Sequence, residues 1–103
     1  MKLKYYDKTG KEITEEEFGK LFTNPFYKII SRTKLPDGKI VSTVWLGLNH
    51  GIDENKPLIF ETMVFPNEDD FHELYCERYS TEQEAIEGHL RIVQKFLKGE
   101  ENE

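Results

Sequence analysis

The segment Leu35-Pro36-Asp37-Gly38-Lys39 constrains this chain more than any other. Proline presets one turn dihedral and glycine accepts a positive one, so the backbone reverses there. The flanking runs, Phe26 to Leu35 and Lys39 to Leu48, are rich in β-branched and aromatic residues, which predicts an antiparallel hairpin. On the return strand Ile40, Ser42, Val44, Leu46 and Leu48 share one face, and Val41, Thr43, Trp45 and Gly47 the other. Both faces carry apolar mass.

Other signals place the remaining elements around that hairpin. Lys2 to Tyr6 reads as an edge strand closed by Asp7-Lys8-Thr9-Gly10. Thr14 and Glu17 have capping-box spacing, so a short helix carrying Phe18, Leu21 and Phe22 starts there and stops at Asn24-Pro25. Leu58 to Phe65 is an apolar run of strand length between Pro57 and Pro66, and Phe71 to Tyr79 fits a last strand, with a helix as the alternative. Thr81 and Glu84 form a second capping box. The helix that follows sets Ala85, Ile86, His89, Leu90, Val93, Phe96 and Leu97 on one side and ends at Gly99. The expectation is an α+β fold: a mostly antiparallel sheet of about five strands, a short N-terminal helix and a long C-terminal helix on one face. Residues 1–99 form one domain and residues 100–103 an acidic disordered tail. With the helix over Leu58, Phe60, Val64, Ile40, Val44 and Leu46, the open face presents Trp45, Thr43, Ile59, Glu61 and Met63.

Composition narrows the function classes. At 103 residues the chain suits a single core without staples, and its one cysteine, Cys76, excludes an internal disulfide framework. Twenty acids against 14 bases give a net charge of -6, so direct nucleic-acid binding is not expected, because lysine and arginine supply most of the grip on phosphates. No apolar stretch approaches the roughly 18 residues of a membrane span, and no signal-peptide core is recognised at the start. A cytoplasmic protein is expected, as a monomer or a homodimer formed over the open face.

Few residues carry chemistry by themselves. Glu61 interrupts an apolar strand, and a buried carboxylate needs hydrogen bonds or a cation. It reads either as a surface charge paired with Arg78 or Lys28, or as a polar anchor beside Trp45 and Met63. His50 leaves a central strand next to Gly51 and is placed to face a ligand or to make a turn contact. His89 falls on the apolar side of its helix, which favours a core imidazole bonded to a carbonyl or a strand side chain. A ligand or nucleotide pocket would combine Trp45, His50, Glu61, Met63, Arg78 and His89. Cys76, between Tyr75 and Glu77, reads as a small core residue rather than a nucleophile. No metal-binding spacing, phosphate loop or nucleophile elbow is present, and no catalytic residue or cofactor is expected. Glu68, Asp69 and Asp70 lack the ligand alternation of a calcium loop and read as a solvated turn.

Val41-Ser42-Thr43-Val44-Trp45-Leu46-Gly47-Leu48-Asn49-His50-Gly51, with Pro57 to Phe65, Arg78-Tyr79-Ser80-Thr81 and Gly88-His89, resembles a small phage and prophage family similar to the type II-A anti-CRISPR proteins. The likeness spans roughly the C-terminal two thirds of the chain. Asn49 departs from the family's aspartate, and Ile52-Asp53-Glu54-Asn55 from its glycine-rich loop. The resemblance implies a non-enzymatic inhibitor of the RNA-guided type II CRISPR nuclease. That nuclease holds nucleic acid in basic channels, so Asp53, Glu54, Glu68, Asp69 and Asp70 are the expected partner-binding acids, with Trp45 or Tyr79 as aromatic anchors.

Overall fold

The computed structural model describes residues 3–99; the expected acidic tail lies outside them. The chain begins with a small hairpin of β1 (Tyr5–Tyr6) and β2 (Glu12–Ile13), the second strand not having been expected. Helix α1 (Glu15–Phe22) starts on the predicted capping box, with the Thr14 hydroxyl and the Glu17 carboxylate each accepting from the other's backbone amide. Asn24-Pro25 ends α1 but also opens a one-turn helix, α2 (Pro25–Lys28). Proline is tolerated at a first helical position because its missing N–H would have no helical acceptor there, so the strand expected from Phe26 begins only at Ile29.

Four strands form the main sheet in sequential antiparallel order: β3 (Ile29–Lys34), β4 (Ile40–Trp45), β5 (Phe60–Phe65) and β6 (Tyr75–Tyr79). The β3–β4 turn is the one read from sequence, with Gly38 at φ 97° and its amide bonded to the Leu35 carbonyl. The last strand is shorter than expected, because 66–74 is a loop. Helix α3 (Glu82–Leu97) starts on the Thr81–Glu84 capping box and lies across one face of the sheet. Among the described residues no helix is long and apolar enough to cross a membrane.

The register decides what α3 covers. Trp45 pairs with Phe60, Thr43 with Thr62 and Val41 with Val64, so all six point to one face. That face meets Ala85, Gly88, His89, Ile92 and Phe96 of α3. The expected grouping was right for Phe60 and Val64 and wrong for β4: Trp45 and Thr43 face the helix, whereas Ile40 and Val44 share the other face with Glu61 and Met63. Trp45 also meets Phe18 and Tyr27 from α1 and α2 and donates its indole N–H to the Tyr6 carbonyl at 3.0 Å. On α3 the expected stripe is shifted as well. Ile92 and Gly88 belong to the buried side, and Ile86, Leu90 and Leu97 are exposed.

Two apolar clusters make up the core, one around Trp45, Phe60 and Tyr79 and one around Val41, Val64 and Phe96. A polar chain runs between helix and sheet. His89 bonds Thr33 through Nε2 at 2.8 Å and Thr43 through Nδ1 at 2.7 Å; Thr43 bonds Thr62, which accepts from the Tyr79 hydroxyl at 3.0 Å.

Candidate binding face of the sheet

The face opposite α3 holds the groove with the clearest apolar lining. Strand alternation sends Ser42 and Val44 from β4, and Glu61, Met63 and Phe65 from β5, to this side. Leu46 continues it beyond β4, and Phe22 and Lys28 come over the rim from α1 and α2. Together these eight residues line a cavity of about 260 Å³. At its far end Phe71, exposed in the 66–74 loop, sets its ring edge-on to Phe65 with centroids 5.8 Å apart.

Glu61 is the floor of the groove and is only 7% exposed although it sits on the uncovered face. Its Oε2 accepts from Arg78 Nε at 2.9 Å and from Cys76 Sγ at 3.6 Å. This cross-strand pair with Arg78 is one of the two partners expected from sequence; the other, Lys28, lines the same groove with its ammonium 3.7 Å from the centre of the Phe22 ring. Burial, with the Glu61 charge behind it, pushes the Cys76 thiol up to about 11. Cys76 is therefore a thiol at neutral pH, and the nucleophile is the thiolate.

The expected ligand pocket is not assembled. Glu61, Met63 and Arg78 share the open face, but the Trp45 and His89 side chains are buried on the opposite face, which α3 covers, and His50 is on the exposed loop after β4 with its amide bonded to the Leu58 carbonyl. The two expected aromatic anchors do not reach the surface, because Trp45 and Tyr79 are both buried. Ile59, expected on the open face, is fully buried in the first core cluster. His89 takes the structural role read for it, a core imidazole held by strand hydroxyls.

The expected acids fall into two groups at opposite ends of β5. Asp53 and Glu54 lie in the exposed loop before it, Glu68, Asp69 and Asp70 in the turn after it. Six residues of strand separate them by about 17 Å, roughly two Debye lengths at physiological salt, so they do not act as one field. They are also partly committed. Glu68 pairs with Lys34 at 2.8 Å, and that hydrogen bond holds its carboxyl below the usual range. Asp53 and Asp70 accept backbone amides of their own turns, from Asn55 and His72. Arg32, Lys34 and Arg78 are exposed on the sheet side that carries Glu61, so the face between the acidic ends is apolar with cations at its margin.

Sequence reasoning missed Phe22, Ser42, Val44 and Leu46 as groove residues. The alternation of β4 was visible; its pairing with Glu61 was not, and nothing local says that α1 and α2 reach this rim. Among the described residues no three His, Cys, Asp or Glu side chains converge to hold a metal ion. No protein-family model matches the chain, and no curated protein or solved structure matches it either.

Proposed function

We propose that the chain is a non-enzymatic binding protein that docks on a partner protein through the open face of its sheet, and that the partner is the RNA-guided type II CRISPR nuclease. The observation that supports docking is the apolar groove across an uncovered sheet face, bordered by Phe22, Val44, Leu46, Met63 and Phe65. Contiguous exposed apolar surface of this kind marks interaction sites in soluble domains. The nuclease as partner rests on the resemblance in the β4 and β5 segments. In this reading apolar contact supplies the lasting affinity, and the acidic loops at the two ends steer encounter with a basic nuclease surface. The bound inhibitor then hinders target DNA binding or cleavage inside the bacterial cell, without gripping nucleic acid itself.

The test is capture of the purified nuclease, with and without guide RNA, followed by DNA cleavage at saturating inhibitor. Complex formation with loss of cleavage supports the reading; no complex and undiminished cleavage reject it. Met63→Glu should weaken capture at least tenfold, since it sets a second carboxylate beside Glu61 in the groove. A second reading, a small-ligand or nucleotide binder, draws on the same groove. Its volume of about 260 Å³ is just under the common range for ligand pockets. A nucleotide panel that raises the melting temperature would favour it.

A further inference from the structure

Helix α3 has a second apolar side that the core covers only at Val93, which packs on the cluster around Val41, Val64 and Phe96. Its buried stripe is Ala85, Gly88, His89, Ile92 and Phe96, whereas Ile86, Leu90 and Leu97 are 42%, 61% and 55% exposed and Val93 is half-buried between them. At 100° per residue these four fall within an arc of about 60°, centred roughly 120° from the buried side. Their direction follows from the side-chain contacts that α3 makes with the two edge strands. Arg91 pairs with Glu77 and Lys95 stacks on Tyr75, both in β6, whereas His89 reaches Thr33 in β3. The stripe continues round the helix past His89, so it overhangs β3. That strand pairs only with β4 among the described residues and leaves its other edge open.

We propose that two copies of the chain associate through this stripe, with their α3 helices antiparallel about a two-fold axis. Two features of the helix select a second copy as the occupant. The spacing of Ile86, Leu90, Val93 and Leu97 is four, three, four, the alternation of a coiled-coil seam, and it reads the same in both directions. Turning a second helix end to end sets Ile86 against Leu97 and Leu90 against Val93 at every contact, as an isologous interface requires. Charge then chooses the orientation. Beside the stripe Glu87 lies in the first half of α3 and Lys98 caps its C-terminal end, whereas Arg91 and Lys95 are turned toward β6. Antiparallel helices bring Glu87 of each copy toward Lys98 of the other, twice across the two-fold axis, whereas parallel helices leave these two charges at different heights. On the exposed flank Glu87 comes beside Gln94 and Lys98 of the second copy. The open face carrying Glu61 and Met63 is on the other side of the sheet, so this dimer leaves both grooves accessible and stands or falls independently of the proposed partner.

The experiment is sedimentation equilibrium of the full chain over a wide concentration range, on the native sequence and on Leu90→Glu. The native chain should show a reversible monomer–dimer equilibrium, and Leu90→Glu should raise the dissociation constant roughly tenfold to a hundredfold. Because Leu90 is exposed in the monomer, the variant's melting temperature at low concentration should match the native value, which separates a lost interface from a lost fold. Orientation is read by disulfide trapping in a Cys76→Ser background: an Ile86→Cys chain mixed with a Leu97→Cys chain should cross-link, and neither should cross-link with itself. A monomer at every concentration, a dimer unaffected by Leu90→Glu, or an Ile86→Cys chain that cross-links to itself would overturn the proposal.

Discussion

His89 shows how one buried titratable residue ties helix to sheet. Tyr79 donates to Thr62, and continuing the pattern, Thr62 donates to Thr43, Thr43 to Nδ1, and Nε2–H to Thr33, so the neutral imidazole satisfies every member. A protonated ring would have to donate at Nδ1 too and would reverse the chain. Burial alone already holds the His89 pKa below its ordinary 6.5. The unfolded chain therefore takes up this proton first as pH falls, so the stability tied to His89 is complete above 6.5 and drains as pH drops toward the lowered value. The unfolding free energy from urea titrations should fall between pH 7.5 and 5.5, with a slope of at most about 1.4 kcal/mol per pH unit from this group, and His89→Gln should flatten the dependence. Gly88 admits the Tyr79 hydroxyl, which would lie 2.3 Å from an added Cβ. Gly88→Ala should destabilise by about 1–3 kcal/mol, measured by urea unfolding. The core role of His89 was legible from helical spacing, but the placing of Trp45 and Glu61 on opposite faces of the sheet was not, because it depends on which face α3 covers.

At the scale of elements, the two capping boxes were readable because a cap is a contact between residues three apart. They should nonetheless respond differently to loss. Alpha-helix α3 is anchored by five buried residues, whereas α1 has none. Thr81→Ala should lower global stability by about 1 kcal/mol in urea titrations. Thr14→Ala should chiefly speed amide exchange within α1, as local fraying does, with a smaller change in the midpoint. Helix α2 escaped notice because Asn24-Pro25 signals both an end and a beginning. The short β2 escaped because two residues offer no periodicity, and the 71–74 stretch looked like strand although it is loop.

Across the whole molecule, charge and apolar surface are segregated: acidic loops at the two ends of β5, an apolar groove between them, and an overhanging stripe on α3. If the proposed partner is bound as described, the two kinds of surface separate kinetically. Asp53→Asn with Glu54→Gln should slow association and reduce its salt dependence, whereas Val44→Glu should speed dissociation, both read by surface-based binding kinetics with the nuclease. The chain by itself determined element type, helix starts, the main hairpin turn and the net charge, since each is set by residues a few positions apart. Only the tertiary structure decided the faces. On β4 both sides are apolar, so alternation leaves the choice open, and it is made by partners distant in sequence: Phe18, Tyr27 and Tyr6 gathering on Trp45, and His89 reaching Thr33 and Thr43. That choice moved Trp45 out of the candidate site and left Glu61, paired with Arg78, at its floor.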